Sequence, residues 1–207
     1  MCHTAVGLTP VLEGRVRHLS AGGLFNGLVL LVDDETGSYW DHVTGEALHG
    51  PLKGHRLSTW PVKITRAAAA IRAQPDLQLL ESRRRLLGGW LDGLIRWQIG
   101  SRGLLPFFFH RTMGRKDRRL SMMEHGLGVI VEGEGRFYPA ADLKHGLTDV
   151  WKGRRLHLGL GSVDRFPEAV WEDGTRPMQI FSCWYGFSFA YPGCLIRTRR
   201  SAAETRD

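Results

Sequence analysis

Leu24-Phe25-Asn26-Gly27-Leu28-Val29-Leu30-Leu31-Val32-Asp33-Asp34-Glu35-Thr36-Gly37-Ser38-Tyr39-Trp40-Asp41-His42-Val43, residues 24–43, is the stretch whose reading decides the fold. Its first nine residues are rich in Leu and Val and predict a strand. Asp33 to Gly37 predicts a turn, because Asp side chains bond the nearby backbone and Gly accepts positive φ. Ser38 to Val43 alternates and pairs back as the second arm of a hairpin. Upstream, Val16 and Leu19 belong to another strand, set apart by Ala21-Gly22-Gly23. Downstream, Thr44-Gly45-Glu46-Ala47 and Gly50-Pro51-Leu52-Lys53-Gly54 are turns flanking a short strand. Thr65 to Ala73 has helical propensity and stops before Pro75. Leu77 to Glu81 returns to strand.

The same alternation resumes after residue 119. Gly126 to Val131 predicts a strand, Gly133-Glu134-Gly135 a hairpin turn, and Arg136 to Pro139 the return strand. Ala140 to His145 is a short helix. Leu156 to Leu160 and Glu168 to Trp171 are strands, and Met178 to Phe189 is aromatic and apolar. The expected class is α+β and β-rich: antiparallel strands and hairpins with a few short helices. A weak echo between residues 52–57 and 151–156 points to two related halves. The chain divides into a β-rich unit at 1–82, a basic aromatic connector at 83–122, a second β-rich unit at 123–197, and a disordered tail at 198–207. Trp40, Phe25, Val29, Leu31, Val129, Phe137, Trp171 and Phe187 are the expected core.

The chain has 207 residues, enough to bury a sizeable core, with 43% hydrophobic and 24% charged residues, as folded globules have. It contains no run of eighteen apolar residues that would span a membrane. The net charge of +7 is local: residues 83–119 hold ten basic side chains and two acidic ones. Arg83, Arg84, Arg85, Trp90, Trp97, Arg115, Lys116, Arg118 and Arg119 are the residues there that suit an anionic membrane surface, with salt-sensitive binding. The competing reading is a solvated face. No recognised nucleic-acid motif accompanies the segment.

Chemistry centres on Cys2, with His3 and Thr4 directly after it. A thiol does redox work as the thiolate, whose pKa falls beside a cation or donor. Successive strand side chains point to opposite faces, so adjacency alone does not set His3 on Cys2. Cys183 and Cys194 read as packing thiols. Nine histidines are present, and none has the spacing of a helical or Cys-x-x-Cys metal site. Trp40, Asp41 and His42 are candidates to line a pocket near Cys2. There is no phosphate-binding Gly loop and no nucleophile elbow. No cofactor is indicated.

The opening Met1-Cys2-His3-Thr4-Ala5 resembles the second half of a Cys-Pro-x-Cys-x-Thr-Ala element. Leu24-Phe25-Asn26-Gly27-Leu28, the block from Glu35-Thr36-Gly37-Ser38 through Trp40 to Thr44-Gly45-Glu46-Ala47, and Gly50-Pro51-Leu52-Lys53-Gly54 continue the likeness. Met123-Glu124-His125-Gly126-Leu127-Gly128-Val129, Trp184-Tyr185-Gly186-Phe187 and Tyr191-Pro192-Gly193-Cys194 extend it more weakly. Together they resemble the DUF3179 family, to about residue 197. The resemblance implies a Cys or selenocysteine two codons before Met1, then Pro, with coding sequence continuing upstream. It makes Cys2 the resolving thiol of a thiol or selenol redox protein on a scaffold unlike thioredoxin. The alternatives are a non-catalytic module with a ligand or metal pocket lined by Cys2, Trp40 and His42, and a membrane-associated protein using residues 83–119. Substrate, redox partner and compartment are left open.

Overall fold

The structure, a computed structural model, describes residues 4–78, 107–162 and 164–199. Its architecture is β-rich, as the alternation predicts. Five antiparallel or mixed sheets are joined by tight turns and four short helices among the described residues.

The first half is built on a meander of β4 (Leu19–Phe25), β5 (Leu28–Asp33), β6 (Tyr39–Asp41) and β7 (Ala47–His49). A two-residue turn, Asn26-Gly27, links β4 to β5 with φ of 52° and 72°. Both values lie in the left-handed region, the geometry that matches strand twist and selects Asn-Gly. The strand expected at 24–32 is therefore two strands. Ala21-Gly22-Gly23 does not separate strands; it lies within β4, where the register shifts as a β-bulge. Asp33 closes the β5–β6 turn, accepting from the Thr36 amide at 2.6 Å and hydroxyl at 2.7 Å. Trp40 is fully buried with Ala47 and Leu57, and Leu8, Leu12, Leu19, Leu31 and Leu52 pack around them.

Two of the expected core residues stand in solvent: Phe25 is 47% and Val29 43% exposed. An apolar run does not reveal which phase faces inward, and here Leu28 takes the buried position. A hairpin of β2 (Val11–Leu12) and β3 (Arg15–Val16) projects beside the meander. β1 (Val6–Thr9) pairs antiparallel with β8 (Ser58–Pro61), bringing the start of the chain back to residue 61. Helix α1 (Ala67–Ala73) ends where Gln74, preceding Pro75, turns extended. The strand expected at Leu77–Glu81 falls largely outside the described residues; Leu77 and Gln78 are not in a strand.

After α2 (Phe107–Arg111), the second half packs two sheets face to face. One has the order β14 (Met178–Cys183), β9 (His125–Val131), β10 (Glu134–Pro139) and β15 (Leu195–Ile196), with β15 parallel to β10. The other is a meander of β11 (Leu147–Trp151), β12 (Arg154–Leu160) and β13 (Pro167–Trp171). Leu127, Val129 and Tyr138 face Trp151, Leu156, Leu158, Ala169 and Trp171 across the interface, with α3 (Ala140–Leu143) contributing Leu143. Asp149 is buried there, accepting from Arg136 at 2.8 Å, the Tyr138 hydroxyl at 2.7 Å and its neighbouring amide at 2.9 Å. The expected turn at 133–135 is a two-residue Glu132-Gly133 turn instead, with β10 already begun at Glu134.

The opposite face of β9 and β10 is covered by α4 (Trp184–Ala190). Gly128 permits this contact, because any Cβ there would overlap the Phe187 ring. The apolar stretch 178–189 is thus strand and helix in succession. Leu28 and Val43 from the first half share a cluster with Ile180, Cys183 and Tyr185 from the second. No helix among the described residues is long and apolar enough to cross a membrane.

Candidate functional site

The site is the junction of β14 and α4, where the amino-terminal segment docks. Cys2 and His3 lie outside the described residues; Thr4, directly after them, is described. The Thr4 hydroxyl lies 2.6 Å from the Ser182 hydroxyl. The Ser182 hydroxyl donates to the Cys183 carbonyl at 2.9 Å, so the Thr4 hydroxyl is the donor of the shorter bond. The fit has no spare room. A Cβ on Gly186 would lie 2.8 Å from Ser182 Oγ and 2.9 Å from Thr4 Oγ1.

Cys183 ends β14 and is the residue that opens α4. The first amides of α4 find acceptors outside the helix: Trp184 N–H donates to Glu124 O at 2.7 Å and Tyr185 N–H to Met122 O at 3.1 Å. The 122–125 segment is thereby clamped to the junction. His125 is the cross-strand partner of Cys183, and its Nε2 lies 3.5 Å from the Cys183 sulfur. The imidazole stacks on Phe181, with centroids 5.8 Å apart and planes at 24°. Cys183 is fully buried and the histidine is half-buried.

The sequence marks Cys183 as a packing thiol and gives His125 no role among the nine histidines. Burial agrees with the first, but the thiol–imidazole contact was missed. Its signal was the Met123-Glu124-His125 and Trp184-Tyr185-Gly186 blocks, which meet through the Trp184 N–H to Glu124 carbonyl bond, with Thr4 beside Gly186.

The other nominated residues lie elsewhere. Trp40 donates its indole N–H to Asp33 Oδ2 at 2.8 Å inside the first core. Asp41 Oδ1 accepts the amides of Val43 and Thr44 at 2.7 and 3.0 Å, as a turn residue does. His42 Nδ1 lies 2.7 Å from the Val29 carbonyl. Burial of the Asp33 carboxyl alone would raise its pKa, but bonds from Trp40 and Thr36 and the charge of Arg17 hold it below the usual range.

Cys194 is buried beside Phe137, Trp184 and Phe187. Burial pushes its thiol up to about 11, against the opposing Arg119 guanidinium. Cys194 is a free thiol.

Two clefts flank the junction. One, of about 200 Å³, is bounded by Lys63, Asp164 and Phe166 and has Phe181 in its wall, the ring that carries His125. The other, of about 890 Å³, is lined by Arg115, Lys116, Arg118 and Arg119 on one side and by Ser188 and Phe189 of α4 on the other. Arg83, Arg84, Arg85, Trp90 and Trp97, the remaining nominated residues of the basic segment, lie outside the described residues.

A family model described as protein of unknown function (DUF3179) matches residues 1–154. No curated protein and no solved structure matches the chain.

Proposed function

The chain belongs to the DUF3179 family, and on that premise we propose that it is a thiol or selenol redox protein acting on disulfides, with Cys2 as the resolving thiol. One observation carries the reading: the Thr4–Ser182 hydrogen bond fixes the segment following Cys2 against the end of β14 that bears Cys183, whose cross-strand neighbour on β9 is His125. A Cys-bearing segment tied to a thiol–imidazole pair has the ingredients from which thiol chemistry is built.

The attacking group is the Cys or selenocysteine that the family resemblance implies three residues before Cys2. Its thiolate or selenolate attacks one sulfur of a substrate disulfide and expels the other as thiolate. Cys2, as thiolate, then attacks the first group in the mixed species. The Cys2 bond forms, the second substrate thiolate leaves, and the two thiolates take up protons. Two electrons have passed from the protein pair to the substrate. A dithiol donor returns the pair to its reduced state by the same exchange in reverse.

The test is mass spectrometry of the protein extended upstream through that element, after equilibration with a graded dithiol–disulfide couple. A reversible bond to Cys2 with a defined potential is expected. Cys2→Ser should accumulate the mixed disulfide, since the first attack does not need Cys2. Extended protein that forms no bond to Cys2 under oxidising conditions would sink the proposal.

A further inference from the structure

We infer that the cleft between residues 114–119 and the end of α4 binds the phosphate group of a phosphomonoester. This inference is independent of the thiol reading. It starts from Gly114-Arg115-Lys116-Asp117-Arg118-Arg119, which carries four cations and one anion in six residues. A loop of this composition, left free, is a solvated charge run. Here it is pinned at both ends and in the middle.

At its start, Gly114 N–H donates to Asn26 Oδ1 at 3.1 Å, while Asn26 N–H donates to Thr112 O at 2.9 Å and Gly27 N–H to Thr112 Oγ1 at 3.0 Å. The loop is thus fastened to the β4–β5 turn. In its middle, the Asp117 carbonyl accepts the indole N–H of buried Trp184 at 3.1 Å. At its end, Arg119 forms a fork with Asp117, through Nε at 3.0 Å and Nη2 at 2.7 Å, and lies 5.3 Å over the Trp184 ring.

These contacts consume the loop's only carboxylate on Arg119. Arg115 and Arg118 are exposed and have no acidic partner among the described residues. Lys116 Nζ approaches His110 Nδ1 at 2.8 Å, which uses one of its three donors. The three remaining cations edge a concavity of about 890 Å³ walled by Phe189, Pro192 and Gly193. A concave wall selects a compact anion, where a flat basic face would suit a sheet of lipid charges.

Guanidinium forks match the geometry of terminal phosphate oxygens, and a monoester presents three of them with up to two negative charges. A phosphodiester or a carboxylate offers only two. The anchored backbone lowers the ordering cost of binding, since the loop is already held. A soluble phosphorylated metabolite and a lipid with a monoester headgroup share this chemistry.

Calorimetric titration with inorganic phosphate and with glycerol 3-phosphate tests the site, at constant ionic strength and with sulfate and chloride as controls. Saturable binding of either phosphate is expected. Arg115→Ala/Arg118→Ala should weaken it about tenfold or more. Arg15→Ala, an exposed charge elsewhere, should leave it unchanged. Arg115→Lys/Arg118→Lys, which keeps charge but loses the fork, should fall between. Co-sedimentation with phosphatidylcholine vesicles doped with phosphatidic acid, against vesicles doped equally with phosphatidylserine, assigns the source. Preference for phosphatidic acid, lost in the double alanine variant, makes the ligand a lipid headgroup. Soluble binding without that preference makes it a metabolite. Equal binding to both vesicle types with no soluble phosphate binding, or phosphate binding unchanged in the double alanine variant, overturns the inference.

Discussion

The hydroxyls of Thr4 and Ser182 lie 2.6 Å apart across 178 positions of chain, and the bond joins the segment after Cys2 to the end of β14. Around it the space is filled to contact. The Ser182 hydroxyl donates to the Cys183 carbonyl, and Gly186 leaves no room for a Cβ. The segment that follows Cys2 therefore has one seat, beside a buried thiol.

Gly186→Ala tests that seat. The added methyl must displace Ser182 Oγ or Thr4 Oγ1. Overpacking of this kind costs about 1–3 kcal/mol. Chemical denaturation should show the loss, and amide exchange in Val6–Thr9 should quicken. In a double-mutant cycle, Ser182→Ala should recover part of the loss by removing one of the two blocking oxygens. Strict additivity of the two changes would mean the docking is not as described.

Cys183 and Cys194 should resist alkylation in the native state. Cys183 is fully buried, and burial pushes the Cys194 thiol up to about 11, leaving little thiolate at neutral pH. Peptide mapping after a short iodoacetamide pulse at neutral pH should find both unmodified, and both modified in guanidinium. Native labelling of Cys194 at the rate of an unfolded cysteine would contradict this environment.

Asp33→Asn should destabilise the first half by about 1–3 kcal/mol at neutral pH, because the buried Trp40 indole and the half-buried Thr36 donors lose a charged acceptor. The carboxyl's folded pKa is depressed, so its contribution is complete above the ordinary carboxylate pKa. That contribution disappears as pH falls through the folded value. The stability gap between wild type and variant should accordingly shrink on acidification. A gap constant between neutrality and strong acid would assign the effect to packing.

Asp149→Ala should be the most damaging of the substitutions considered. It leaves Arg136 and the Tyr138 hydroxyl without their shared acceptor, with Arg197 Nε only 3.6 Å from the same oxygen. Removing one partner of a buried ion pair costs about 3–5 kcal/mol. Tyr138→Phe removes one donor and should cost about 1 kcal/mol. Similar melting temperatures for the two variants would show that the arginines find water when Asp149 is gone.

Much of the architecture was legible locally. Alternation marked β9, β10, β12 and β13, and Pro75 marked the stop after α1, because each is set by side-chain period or backbone sterics within a few residues. The hairpin at 24–43 was legible as strand and turn, and its bend at Asp33–Gly37 is the β5–β6 turn, but a second turn inside the apolar run was not. Asn26-Gly27 carried the turn that a continuous apolar run concealed. Phe25 and Val29 looked like core because hydrophobicity alone does not choose a face. Pairing with neighbouring strands does, and it put Leu28 inside.

The candidate site shows the same division. The sequence alone marked Cys2 and the family blocks around His125 and Trp184, since motif chemistry is written in adjacent residues. Only the tertiary structure put His125 Nε2 against the Cys183 sulfur, 58 positions away, and Thr4 against Ser182. Those contacts depend on β9 pairing with β14 and on α4 folding back over Gly128. Such pairings are chosen by the packing of the whole core, and no local pattern in the chain encodes them.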